Sequence, residues 1–286
     1  MKIGEQFALA RKSRGLTQSE IAKDIASLDH VRQFETGDYD MPLEDLQRLL
    51  ARLGISLRQF ANYCERREFN QNIIPETVLA TEIAGDTDKL KSLYRLSATR
   101  GNTRTDRLGM MMAATAYADI TGIEILPRTQ IQQEATDLLD TASWNRADLM
   151  TLHVLMNTLD CTRIFVFCRE ILAGIPAKLR WNFALANDSW YAVIAGCQVL
   201  AERHSTLAGA LLRNVENGPA IPETMIRNKL YAICVCSMNC LQNGRDTGAR
   251  TKLTNAIASL RRLGATETMR KVQRGCWQIL QIEIAV

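Results

Sequence analysis

Helix-starting and helix-stopping residues recur so closely between residues 17 and 60 that this stretch can fold only as short helices joined by tight turns. Thr17 is followed three residues on by Glu20, the spacing of a capping box, in which hydroxyl and carboxylate satisfy free backbone N–H groups reciprocally. Ile21, Ala22 and Ile25 then supply a buried face, in a stretch that runs on to Ser27. Ser27 caps a third helix in which Val31 and Phe34 point inward, and Gly37 closes it. Pro42 opens a fourth helix where a missing N–H costs no hydrogen bond, Leu46, Leu49, Leu50 and Leu53 form its core stripe, and Gly54 stops it. Upstream, Gly4 to Ser13 reads as a first helix ended by Gly15, and Leu57 to Glu68 begins a fifth that leaves the domain. Cap, short helix, tight turn, short helix and glycine stop is the order of a helix-turn-helix that reads DNA.

The whole chain has 286 residues, several times what that motif needs, so a larger second domain must follow. With 47% hydrophobic and 23% charged residues it is globular, and no stretch alternates apolar and polar for a strand's length, which predicts an all-α fold. No segment approaches the roughly 18 uninterrupted apolar residues of a membrane span. The start, Met1-Lys2-Ile3-Gly4-Glu5, lacks an apolar signal core, and the expectation is a cytoplasmic protein without membrane contact. Cys64, Cys161, Cys168, Cys197, Cys234, Cys236, Cys240 and Cys276 sit in apolar helical patterns and read as reduced core thiols. Even the Cys234, Cys236, Cys240 group lacks further zinc ligands at matching spacing, since His30, His153 and His204 are remote, so neither metal nor cofactor is expected.

From about Gln71 the pattern changes to tandem helical pairs. Asn102, Asn145, Asn187 and Asn228 are separated by 43, 42 and 41 residues, and in the last two units Trp190 aligns with Tyr231, Thr206 with Thr247 and Ala208 with Ala249. A near-constant period of that size predicts a stacked α-solenoid. Its clearest unit is Arg227 to Gly264, with Asn243-Gly244 as the turn between two helices. The expected domains are residues 1–64 for the DNA reader, 65–75 for a linker and 76–286 for the repeats.

Net charge is only +4, and residues 1–69 carry eleven Lys/Arg against eleven Asp/Glu, so nucleic-acid affinity has to come from a local face rather than bulk charge. Arg11, Lys12 and Arg14 form the one local basic cluster and are expected phosphate clamps, with the Gln18 amide donating to another phosphate. Behind the Ser27 cap, Leu28, Asp29, His30, Arg32 and Gln33 are the groove-facing candidates. Arg32 suits guanine, Gln33 adenine and Leu28 a thymine methyl, while Asp29 either accepts from cytosine or pairs with Arg32. Catalysis is not expected: there is no Ser/His/Asp grouping, HExxH, phosphate loop or paired carboxylates in a recognisable frame. His153, among Thr151, Leu152, Val154 and Leu155, reads as a core or helix-face histidine.

Gly15-Leu16-Thr17-Gln18-Ser19-Glu20-Ile21-Ala22 through Phe34-Glu35-Thr36-Gly37 resembles the Cro/repressor-type (XRE) helix-turn-helix. Ser56-Leu57-Arg58-Gln59-Phe60, Trp144 before Asp148-Leu149, Met156-Asn157-Thr158-Leu159 and the total length extend the resemblance to the Rgg/GadR/MutR regulators of Gram-positive bacteria. The chain departs from that pattern where Thr36 and Gln33 replace arginines and Asn145 replaces a glycine. The resemblance implies a five-helix Cro/repressor-like domain followed by a right-handed α-solenoid of tetratricopeptide-like repeats. It further implies a homodimer on double-stranded promoter DNA, controlled by a short hydrophobic signalling peptide bound in the concave face of the repeats. On that basis Asn157, Asn187 and Asn228 are expected to hold the peptide backbone, Arg163 or Arg180 a carboxylate, and Tyr191 or Tyr231 to line the groove. The alternative is a ligand-independent repressor whose repeats serve as a docking or dimerisation scaffold.

Overall fold

The helix signals of the first 60 residues close into a small core of their own. The structure, a computed structural model, describes residues 3–57, 59–61, 75–100, 103–140, 144–245 and 248–283. Every regular element among these is helical, and the chain divides into two compact units, Met1–Asn72 and Ile73–Val286. Cys64, Arg58, Asn102, Thr247 and most of the expected linker lie outside the described residues.

In the first unit α1 spans Ile3–Ser13, α2 Gln18–Ala22, α3 Leu28–Thr36 and α4 Leu43–Arg52. The caps are those the residue types demand. The Glu20 N–H donates to Thr17 Oγ1 at 3.2 Å while Glu20 Oε2 accepts from the Thr17 N–H at 2.7 Å, and Ser27 Oγ accepts from the His30 N–H at 3.1 Å. Gly37 ends α3 at φ 78°, a left-handed conformation that side chains with a Cβ resist. Ser56 and Gln59 make a further reciprocal pair at the start of the fifth helical segment, whose Phe60 is buried. Phe7, Ile21, Val31, Phe34, Leu46, Leu49, Leu50 and Leu53 fill the core, and the Phe7 ring meets those of Phe34 and Phe60 at 5.6 and 6.4 Å.

The second helix is shorter than its apolar pattern suggests. It stops at Ala22, Asp24 takes φ 59°, and Ile25 is half-buried beyond the helix end. Arg52 explains how so short a helix ends cleanly: its Nη1 donates to the carbonyls of Glu20 and Ile21 at 3.2 and 3.1 Å and also to that of Lys23. At Gly4 the backbones of α1 and α3 approach so closely that an added Cβ would lie 1.6 Å from the Phe34 carbonyl oxygen, so only glycine fits.

The second unit runs α5 (Pro75–Ala84), α6 (Thr87–Arg100), α7 (Arg104–Thr121), α8 (Arg128–Leu139), α9 (Arg146–Leu155), α10 (Cys161–Trp181), α11 (Phe183–Glu202), α12 (Thr206–Glu216), α13 (Ile226–Gln242), α14 (Ala249–Arg262) and α15 (Thr266–Leu280). Consecutive helices pair as hairpins, α6 with α7, α10 with α11 and α13 with α14, and alternate helices stack, α7 on α9, α9 on α11, α11 on α13 and α13 on α15. That is a two-layer helical stack with α5, α7, α9, α11, α13 and α15 as one layer. Trp190 and Tyr231, aligned by the repeat, are both fully buried, as are Ala208 and Ala249. Hydrogen bonds cross at the repeat spacing: Asn228 Nδ2 donates to Asn187 O at 2.9 Å, and Gln242 Nε2 to Ala201 O at 3.1 Å. Asn145 caps α9 reciprocally with Asp148, which Arg104 pairs at 2.8 Å, and Trp144 packs edge-on against Phe167.

Among the described residues no helix is long and apolar enough to cross a membrane, and no group of three or more His, Cys, Asp or Glu is placed to hold a metal ion. The described cysteines are free thiols. Burial pushes Cys168 and Cys234 up to about 12 and Cys236 and Cys276 up to about 11, which makes them poor nucleophiles.

Candidate functional sites: an exposed helix face and a polar hollow

The first candidate is the outer face of α3. Val31, Phe34 and Glu35 turn inward, which leaves Asp29, His30, Arg32, Gln33 and Thr36 exposed and Leu28 half-buried beside them. Arg32 Nη1 lies 3.4 Å from Asp29 Oδ1, and the His30 ring stacks on Tyr39 at 4.5 Å with the planes 9° apart. Thr36 Oγ1 donates to Asp38 Oδ2 at 2.6 Å, tying the helix end to the following turn. Lys12 and Arg14 are exposed at the end of α1.

One expected phosphate contact is corrected. Arg11 is buried, with Nε and Nη2 donating to the two carboxylate oxygens of Glu35 at 2.6 and 2.8 Å and Nη1 to Leu16 O at 2.5 Å. Its fork is committed inside the protein; the hydrogen bond to Glu35 raises the guanidinium's pKa further, despite the opposing effect of burial. The Gln18 amide, half-buried, donates to Glu35 Oε2 at 2.7 Å and keeps a second N–H. Arg11, Gln18 and Glu35 therefore lock α1, α2 and α3 together, which sets the attitude of the exposed face.

The second candidate lies on the α5, α7, α9, α11, α13 and α15 layer. Residues from all six helices line a hollow of about 270 Å³ that opens to solvent, among them Glu82, Asp119, His153, Asn157, Tyr231, Glu267, Arg270, Lys271 and Arg274. A second hollow of about 190 Å³ adjoins it through Leu79, His153 and Glu267 and is lined by Tyr191, Arg227 and Asp188. Two side-chain chains build the wall. Tyr191 Oη donates to Glu267 Oε1 at 2.8 Å, His153 Nε2 lies 3.8 Å from the same oxygen, and Lys271 Nζ sits against the His153 ring, 3.3 Å from Nδ1. Tyr231 Oη donates to Gln198 Oε1 at 2.7 Å, while Gln198 Nε2 donates to Lys271 O and to Glu202 Oε1, both at 2.6 Å. Arg274 pairs with Glu202 at 3.3 Å, and Arg270 reaches Ile83 O at 3.5 Å.

Burial shapes the charges. Burial holds Lys271 down at about 8, against the pull of Glu267. Burial first, then Lys271, Arg274 and Arg227, keep His153 well below its usual range and hence neutral at pH 7. Loss of water raises Glu82, with Lys271 opposing. Tyr191 is pushed up by burial and by Glu267, so its hydroxyl stays a donor, with the Arg227 guanidinium 4.7 Å from its ring centre.

The expected peptide-holding residues divide. Asn157 lines the larger hollow, in a turn whose carbonyls Arg203 holds, and Tyr231 and Tyr191 line the two hollows. Asn228 is fully buried with its amide spent on Asn187, which takes it away from any ligand backbone; Asn187 is half-buried and lines neither hollow. Arg163 and Arg180 are on α10, which contributes no residue to either hollow, so the carboxylate role expected of them falls away there. Glu82, Asp119, Glu267, Lys271 and Arg274 were not legible as site residues: each is one charged position on an amphipathic helix until the helices are stacked.

No family model matches the chain, and no curated protein does. Solved structures do. The SHP pheromone receptor Rgg2 of Streptococcus dysgalactiae superimposes with a TM-score of 0.73 at 15% identity, over 95% of this chain and 97% of that one. A provisionally assigned transcriptional regulator from Listeria monocytogenes EGD-e gives 0.77 at 15%, over 98% and 97%. The receptor in a bacterial peptide pheromone/receptor complex gives 0.62 at 12%, over 98% and 99%. At such identities the shared property is the fold, and it is shared along nearly the full length.

Proposed function

We propose that this chain is a cytoplasmic, dimeric, sequence-specific DNA-binding regulator of the Rgg/GadR/MutR kind, whose repeat unit binds a short peptide that modulates promoter binding. The observation that carries this reading is the pairing, in one chain, of a polar helix face held by a buried clamp with a hollow walled by six helices of a separate unit. A helix entering the major groove must be rigidly posed yet bare of its own partners. Arg11, Gln18 and Glu35 supply the pose. Asp29 holds Arg32 only by an exposed pair three residues apart, a contact worth under about 1 kcal/mol, so Arg32 is released to a guanine at little cost. Lys12 and Arg14 remain for phosphates. A ligand that fills the hollow touches α5, α7, α9, α11, α13 and α15 together, and any difference in its affinity for two packings of that layer shifts their populations. The fold shared with pheromone receptors supports the same reading.

Arg32→Ala and Gln33→Ala should each cost roughly 1 to 3 kcal/mol on the specific operator and far less on random DNA. Titrating full-length protein with labelled promoter fragments checks this, and equal losses on both DNAs would show that the face does not read bases. Repeating the titration with candidate peptides tests the sensing half. Unchanged operator affinity across them favours the ligand-independent scaffold, a reading that has in its support the internal use of Asn228 and of the Tyr231 hydroxyl.

A further inference from the structure

The charges around the larger hollow are unevenly satisfied. Of its cations, Arg274 has Glu202, Lys271 has Glu267 and His153 about it, and Arg270 reaches a backbone carbonyl. Of its carboxylates, Glu267 takes the Tyr191 hydroxyl, but Glu82 on α5 and Asp119 on α7 have no ion-pair partner within 4 Å among the described residues. Burial raises both carboxylates, against the pull of Lys271 and Arg274 on Glu82 and of Arg128 and Arg274 on Asp119, and the two stand near enough for the Asp119 charge to raise Glu82 further. Asn157 lies beside Asp119 and helps to hold its pKa down against burial, and its amide oxygen is a further acceptor. An independent sign comes from Thr115. Its hydroxyl is buried and has no hydrogen-bond partner, and it lines a small cleft shared with Asp119 and Asn157, the two residues through which that cleft meets the hollow.

We propose that the wall formed by Glu82, Asp119 and the Asn157–Thr115 cleft is the seat of a primary ammonium group, carried by the peptide assigned to this hollow. The inference rests on the peptide reading and specifies the ligand: it is not uniformly apolar but bears a cationic group at the end that enters here. A primary ammonium offers three N–H donors, and two carboxylates and an oxygen of Asn157 or Thr115 offer three acceptors. A carboxylate is the wrong partner for this wall, because it would stand against two further carboxylates, neither of which has a cation within 4 Å among the described residues. A cavity of about 270 Å³ holds a couple of residues, so the seat engages one end or one side chain of a longer ligand.

Three probes test this on the full chain by isothermal titration: trileucine amide with a free amino terminus, its N-acetyl form, and N-acetyl-Leu-Lys-Leu amide. The free-amine form should bind at least about tenfold more tightly than the acetylated one, a single charge-assisted contact's difference. Glu82→Gln combined with Asp119→Asn should erase that preference and leave the melting temperature no lower. If the lysine probe regains the lost affinity, a side-chain ammonium can fill the seat; if it does not, the seat is for a chain terminus, and both results support the proposal. Equal binding of free and acetylated forms overturns the seat and leaves the peptide reading standing. A preference that survives the double substitution, or no binding by any probe, also overturns it, whereas the peptide reading itself falls only by the operator titration.

Discussion

The two units bury a cation in opposite ways. Arg11 sits in the first unit with both carboxylate oxygens of Glu35 on its fork and the Leu16 carbonyl on its remaining nitrogen, and its charge is held more firmly than in water. Lys271 sits in the second among His153, Arg274 and a Glu267 shared with Tyr191, and its charge is held less firmly, down at about 8. A buried charge that is fully partnered is a structural lock, since removing one member strands the other. A buried charge that its surroundings only half satisfy belongs to a place where the protein has left room for something else. The lock lies behind a face meant to be rigid, and the half-satisfied cluster lies around a hollow.

The largest expected effect breaks the lock. Arg11→Met leaves Glu35 buried without its cation and should destabilise the first unit by about 3 to 5 kcal/mol. Hydrogen exchange along α1 to α4 in the full chain reads this unit alone; protection that stays within tenfold of wild type would show the pair to be dispensable. Lys271→Met should cost the second unit about 1 kcal/mol or less, because a methionine keeps the buried stem and drops a charge its site disfavours. A loss as large as that of Arg11→Met would make the two sites equivalent and end the distinction.

The smallest effect is a slope. His153 is depressed in the folded chain, so between its folded pKa and about 6.5 the unfolded chain binds the additional proton. Stability contributed by this group is therefore complete above about 6.5 and is lost as pH falls below that value. Glu82 acts with the opposite sign, since its raised pKa makes the folded chain the better proton binder as pH falls. Thermal melts of wild type and His153→Gln from pH 7 to 5 separate the two, and the variant should lose less stability on acidification. Parallel curves would mean that His153 is not held neutral by its surroundings.

Legibility followed the range of the interaction. Thr17 with Glu20, Ser27, Gly37 and Gly54 were readable because a cap or a stop is settled within four residues, and the stripe Leu46, Leu49, Leu50 and Leu53 because one helix face repeats over seven. The repeat was readable in outline: Trp190 over Tyr231 became two buried aromatic positions, and Asn187 and Asn228 came into direct contact. That contact is also why the expected role fails for Asn228, which is fully buried where it staples one repeat to the next and lines neither hollow. Helix two was misjudged because Ile25 continues the apolar period, while Arg52, distant in sequence, ends the helix at Ala22.

The sequence by itself determined that the chain is helical, where its first helices begin and end, which of their faces are apolar, and that later helices come in pairs about 42 residues apart. Only the tertiary structure decided which polar residues remain available. It spent Arg11 on Glu35, left Arg32 and Gln33 outside, and gathered Glu82, Asp119, His153 and Lys271 from four helices around one hollow. Caps and periodicity arise from hydrogen bonds and burial within a few turns of chain. A charged side chain's partner is set by which helices pack together, and the hollow spans residues as far apart as Leu79 and Arg274.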